Sequence, residues 1–154
     1  VGLSLFFAGV SLRVWAQQHI HYRLRVKKAL TVTGPYKYVR NPIYLGNSAM
    51  LTGMTVLSEL LWFLPLTLLW CAVVYGLVVR HEERHLLVKY GAPYRQYVED
   101  VPRWIPRLRT KMVTNEASDT KRFFWPSVVA ELHCLLWLIP LIAKELLAGN
   151  GSLS

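Results

Sequence analysis

The sequence predicts an all-α integral membrane protein with about four transmembrane helices. Three observations predict it. Apolar residues make up 53% of the 154 residues, and mean hydropathy is +0.28. The apolar residues fall in blocks, which a soluble domain of this size rarely shows. The cations cluster between those blocks: seven Lys/Arg and no acid from Arg13 to Arg40, then ten Lys/Arg against six Asp/Glu from Arg80 to Arg122. A pI near 9.8 also suits nucleic-acid binding, but basic clusters flanking hydrophobic spans follow the positive-inside pattern. No nucleic-acid partner is therefore expected, and membrane lipids are.

The first span runs from Val1 to about Gln17 and carries one arginine. It is slightly short for a crossing, and the chain begins inside it without Met, so one or more helices are expected upstream. Gly34-Pro-Tyr-Lys-Tyr-Val-Arg-Asn-Pro-Ile-Tyr-Leu-Gly46 then forms a stiff polar-aromatic elbow. Gly34-Pro35 signals a turn. Pro42 holds Asn41 out of the helical region, so the next helix starts near Pro42-Ile43 with its first amides unpartnered. Those amides suit a carboxylate or another acceptor. Ile43–Leu57 and Leu60–Val79 pair as a hairpin around Ser58-Glu59. A fourth span covers Trp125–Leu147, interrupted by Glu131, His133 and Pro140. Both basic segments then lie on the cytoplasmic side, joined by a hairpin that crosses twice, and a site is expected between them.

The third span continues past the membrane as Arg80-His-Glu-Glu-Arg-His-Leu-Leu-Val-Lys-Tyr90, with Gly91 as its C-terminal stop and a short helix over Pro93–Val98. Two adjacent carboxylates at an interface are costly unless they meet cations or a ligand. Arg80 is spaced to pair with Glu83, while Glu82 points about 100° away, one residue round a helix of 3.6 per turn. His81-Glu82-Glu83-Arg84-His85 also matches H-E-x-x-H, the zinc-binding spacing of metalloproteases. Glu83 and Arg84 fill the two middle positions, which such helices keep uncharged, and no third ligand follows at a set spacing. Cys71 and Cys134 lie inside apolar runs, so neither a metal site nor a disulfide is expected.

Together, the elbow, the hairpin, Glu82-Glu83, Tyr90-Gly-x-x-Tyr-x-x-Tyr97 and Val101-Pro-Arg-Trp-x-Pro106 resemble the isoprenylcysteine carboxyl methyltransferase family. That family belongs to the integral-membrane methyltransferases, which include the phospholipid methyltransferases. The resemblance covers roughly residues 2–107. It implies S-adenosylmethionine as methyl donor, a pocket on the cytoplasmic face and a membrane-embedded lipid or prenylated acceptor. Carried over, the cofactor-binding residues are His21, Lys28, Ala29, Leu30, Thr31, Tyr36, Asn41, Pro42, Ile43, Tyr44 and Glu82. Some relatives have His where this chain has Asn41. An acceptor-binding Arg of eukaryotic relatives falls on Val78 here, which leaves Arg80 as the nearest substitute. Arg80 and Glu83 are the candidate catalytic residues.

The organisation expected is a methyltransferase core over 1–109, a polar linker over 110–124, and an additional hydrophobic helix and tail over 125–154. Two other functions compete. An NADPH-dependent sterol reductase shares a similar charged end before Lys89-Tyr90-Gly91, but such proteins carry many more spans upstream. A non-enzymatic lipid-binding subunit accounts for the charge, yet gives no reason for Glu82-Glu83 or the rigid elbow.

Overall fold

A computed structural model describes residues 1–22, 30–107 and 123–150. The described residues are mostly helical, with no strand among them: α1 (Gly2–Tyr22), a 3-10 turn (Gly34–Lys37), α2 (Pro42–Leu57), α3 (Leu64–Tyr90), α4 (Ala92–Asp100), α5 (Phe124–Leu135) and α6 (Ile139–Asn150). The expected linker falls almost wholly outside them.

Helices α1 and α2 pack with almost no side chain between them. A Cβ on Gly46 would lie 2.8 Å from the Gly9 carbonyl oxygen, and one on Gly53 would lie 2.6 Å from that of Gly2. Only glycine permits so close an approach, as at small-residue interfaces between membrane helices. Phe6 and Met50 fill the layer between the two glycine contacts and meet Cys134 and Leu138 from the C-terminal segment.

Among the described residues one stretch, Leu61–Tyr90, is long and apolar enough to cross a membrane, with a mean hydropathy of 2.1 in its most apolar window. Thirty residues rise about 45 Å at ~1.5 Å each, against about 30 Å of hydrocarbon. A crossing that began at Leu61 would leave the last turns, from Arg80 onward, beyond the apolar layer. Leu66, Leu69, Trp70, Val73 and Leu77 are exposed along this helix, as a lipid-facing surface requires.

Two sequence expectations need correction. Helix α1 runs a turn further than Gln17, to Tyr22. The segment 125–147 is not one continuous helix: α5 and α6 are joined by a 3-10 turn at Leu136–Leu138. Pro140 has no amide for the Leu136 carbonyl, so the regular ladder breaks there. Gly91, by contrast, ends α3 as expected, with φ +58, and α4 starts at once.

The polar interruptions of the outer segments meet each other. Arg13 of α1 donates from Nε to Glu131 Oε2 at 2.8 Å and from Nη2 to Oε1 at 2.9 Å. Glu131, on α5, is 1% exposed. It also accepts from Gln17, and from the Cys134 thiol at 3.2 Å, while Arg13 reaches Asn47 of α2. Each charge that is costly in an apolar bundle thus has its counter-charge on the facing helix.

Candidate active site

The elbow is held from both ends. Gly34 adopts φ +59, and a Cβ there would run into the His19 ring at the end of α1, so glycine is required on both counts. From the other side, the segment 101–107 straps the elbow. The Arg40 amide donates to the Pro102 carbonyl at 2.9 Å, the Arg107 amide to that of Tyr38 at 3.0 Å, and Asn41 Nδ2 to that of Arg103 at 3.2 Å. The Val-Pro-Arg-Trp-x-Pro motif therefore serves as a clamp on the elbow.

Between the elbow, the polar end of α3 and α4 lies a cavity of about 500 Å³, lined by Ile20, Leu30, Thr31, Tyr36, Arg40, Asn41, His81, Glu82, His85, Leu86, Tyr90, Tyr94 and Tyr97. That volume is typical of small-molecule sites, which span about 300–1,000 Å³. Tyr94 and Tyr97 form its floor and cluster with buried Val101, with Leu30, Val32, Leu86 and Tyr90 packed against them. The Tyr97 hydroxyl donates to the Tyr36 carbonyl at 2.8 Å, which fixes the elbow over that floor.

Two polar groups stand out. The Tyr44 hydroxyl donates to Glu82 Oε1 at 2.7 Å, which orients an exposed carboxylate at the cavity rim. The Tyr36 ring is buried, and its hydroxyl has no hydrogen-bond partner among the described residues. Burial pushes this phenol far above its ordinary pKa, with Tyr97, Glu82 and Tyr44 adding in the same direction. It stays a neutral donor at physiological pH, aimed at no acceptor of the described chain. A buried unsatisfied hydroxyl costs about 1–3 kcal/mol, so this one fits a ligand-facing role.

Behind the cavity lies a groove of about 490 Å³ in which Arg40, Arg80, Arg84, Arg95 and Arg103 face only Glu83 and Glu99. Arg40 and Tyr94 line both spaces, so the two share a wall. Here the expected pairing of Arg80 with Glu83 is corrected. Glu83 accepts from Arg103 Nε at 3.0 Å and Nη2 at 2.6 Å, and lies 3.1 Å from Arg40. A two-point fork from a clamp residue outcompetes a neighbour three positions along the same helix. The Glu83 bond also raises the Arg103 pKa above its ordinary value. Arg80, exposed in the groove, has no carboxylate within salt-bridge distance among the described residues.

The structure thus brings Leu30, Thr31, Tyr36, Asn41 and Glu82 to one cavity, with Tyr44 joined to it through Glu82. Pro42 and Ile43, in the first turn of α2, are not among its lining residues. Lys28, Ala29 and the His21 side chain lie outside the described residues. Sequence reasoning missed Ile20, Arg40, His81, His85, Leu86, Tyr90, Tyr94 and Tyr97 as wall residues. The tyrosine spacing that carried the resemblance was the available signal for three of them.

The profile of the family described as phospholipid methyltransferase matches residues 1–93, well over half of the chain. The chain belongs to that family. All but two of the cavity's wall residues lie within the match; only Tyr94 and Tyr97 follow it. The chain is also 30% identical over 110 residues to the nickel-cobalt-cadmium resistance protein NccN of Alcaligenes xylosoxydans xylosoxydans. It is 31% identical over 110 residues to the cobalt-zinc-cadmium resistance protein CzcN of Cupriavidus metallidurans. Each alignment covers 69% of this chain and 50% of the relative, so the chain spans about half the length of the curated relatives it matches. No solved structure gives a significant match. Family membership and the apolar α3 make this a membrane-associated protein of a methyltransferase family.

Proposed function

We propose that this chain transfers a methyl group from S-adenosylmethionine to an amphiphilic acceptor held in the membrane. The observation that carries the reading is the cavity itself. It combines an oriented carboxylate (Glu82), a buried phenol without a partner (Tyr36) and an aromatic floor, and it abuts an arginine-lined groove.

The residues present fit such a cofactor. Glu82, fixed by Tyr44, suits an ammonium, and Tyr36 can donate to a carboxylate or a ribose oxygen. The aromatic faces of Tyr36, Tyr94 and Tyr97 suit a sulfonium. Bound there, the cofactor supplies an activated methyl group whose transfer is an in-line displacement. No side-chain nucleophile is needed, so the protein's work is to position the reactants and exclude water. Arg80 is the residue that receives an anionic end of the acceptor by paired hydrogen bonds. Glu83 acts as a positioning residue by holding Arg40 and Arg103 where the two spaces meet.

In this reading, α1, α2, α3 and the α5–α6 segment form four membrane passages, and the cavity opens to the cytoplasm. Cysteines introduced at Thr33 and Thr114 are expected to label only from the cytoplasmic side, and one at Ser58 only from outside. Opposite labelling of positions 33 and 114 would separate the two halves of the site.

Acceptor chemistry gives the decisive test. Burying an acyl or prenyl tail in the bilayer contributes about 0.8 kcal/mol per CH₂, so the tail should govern encounter. With labelled S-adenosylmethionine and the protein in micelles, turnover is expected for long-chain or prenylated acceptors and little for the same headgroup without its tail. Equal kcat/KM for both would point to a water-soluble substrate. Binding of NADPH in place of S-adenosylhomocysteine would turn the reading toward a reductase.

A further inference from the structure

The cavity wall carries a second arrangement of chemistry that methyl transfer does not use. His81 and His85 stand one turn apart on the polar end of α3, with ring centroids 4.6 Å apart. Both line the cavity, as does Glu82 between them in sequence. His85 Nδ1 lies 3.3 Å from the His81 carbonyl oxygen. A carbonyl only accepts, so Nδ1 carries the proton and Nε2 of His85 is the nitrogen that keeps its lone pair. Histidines that bind metals are held in this way, the second ring nitrogen donating to a backbone carbonyl or carboxylate. An i, i+4 imidazole pair on one helix face is also the spacing that two ligands of a single ion require.

We propose that His81 and His85 chelate one borderline divalent transition metal at the cavity wall, and that the bound ion opposes cofactor binding. Imidazole pairs select zinc, nickel, cobalt or copper over magnesium and calcium, which prefer oxygen ligands. Among the described residues, no group of three or more His, Cys, Asp or Glu is arranged to hold a metal ion. The chelate is therefore two-point, with water in its remaining positions. Arg84 lies beside the pair on the same helix and adds repulsion. Both facts make the ion exchangeable, which describes a regulatory site and not a resident cofactor. The opposition follows from position: a divalent cation beside Glu82 competes with the ammonium this carboxylate receives and repels a sulfonium in the same cavity. By linkage, the cofactor must weaken the metal by the same factor.

The second half of the proposal rests on the cofactor reading above, whereas chelation does not. Nickel is titrated by calorimetry into the full, tag-free chain in detergent, for wild type and for His81→Gln, His85→Gln and the double variant, with circular dichroism checking the fold. One nickel per chain is expected. Each single substitution should weaken binding at least as much as loss of an outer-sphere partner does, roughly 10–100-fold. Affinity should rise from cobalt to nickel to copper, and magnesium should give no heat. Nickel should also weaken S-adenosylhomocysteine in wild type and leave it unaffected in the double variant. Unchanged nickel affinity in a folded double variant would place the ion elsewhere and overturn the chelate. Equal S-adenosylhomocysteine affinity with and without nickel in wild type would overturn the competition. If S-adenosylhomocysteine binds under no condition, the cofactor reading and the competition fail together, and the nickel titration alone decides chelation.

Discussion

Glu131→Ala is expected to destabilise the folded protein by about 3–5 kcal/mol, the usual cost of leaving one member of a buried ion pair without its partner. Arg13 is 17% exposed, and the carboxylate it would lose takes both its Nε and its Nη2. Asn47 alone cannot balance the guanidinium's charge. The double variant Arg13→Leu, Glu131→Leu should recover most of the loss, because an apolar pair of similar volume has no charge to desolvate. Thermal unfolding in detergent, followed in a double-mutant cycle, reads both effects. If the single and double variants melt together, the pair contributes nothing, and α5 is held by its apolar face alone.

The same pair explains how the C-terminal segment relates to the rest of the chain. The family match ends at residue 93, yet α5 is joined to α1 through Glu131, which meets Gln17 and Arg13, and packs on the Phe6–Met50 layer through Cys134. A segment beyond the matched region thus completes the bundle core. Its contacts run along α1 from Phe6, which meets Cys134 and Leu138, to Gln17, two residues before the His19 that meets the elbow.

Much of this was legible in the sequence because it is local. Pro42 after Asn41 sets the start of α2, Gly91 the end of α3, and Gly34-Pro35 the turn that opens the elbow. Each is a backbone constraint carried by the residue itself. What the sequence did not reveal is long-range. The partners of Glu83 lie 43 residues before it and 20 after it, at Arg40 and Arg103, whereas a helical reading sees only the neighbour at Arg80. Arg13 and Glu131 are 118 residues apart, and each reads alone as a blemish in an apolar run. Charge pairing across elements depends on packing, and here packing depends on glycines in α1 and α2 whose sequence gives no hint of which helix they face. The pocket residues divide in the same way: the elbow and Glu82 were found through a motif, while His81, His85 and Leu86 became wall residues only when α3 was set against the elbow.

Glu82 is where the proposed function is most exposed to test. In Glu82→Ala, affinity for S-adenosylhomocysteine should fall by at least roughly 10-fold, since a hydrogen bond to a charged group contributes about 1.5–3 kcal/mol. The fold should survive, because the residue is exposed and bonds within the chain to the Tyr44 hydroxyl at 2.7 Å, at the cavity rim. Tyr44→Phe removes only the group that orients the carboxylate, and should cost less, about 0.5–1.5 kcal/mol or roughly 2–12-fold. Glu83→Ala serves as the contrast. It strips Arg40 and Arg103 of their shared carboxylate and loosens the clamp on the elbow, so it should lower thermal stability along with binding. Calorimetry for binding and circular dichroism for folding separate the three variants. Wild-type affinity in Glu82→Ala, with the cavity intact, would remove this carboxylate from the cofactor site. A loss in Glu83→Ala alone, at unchanged stability, would transfer the ammonium-binding role to Glu83.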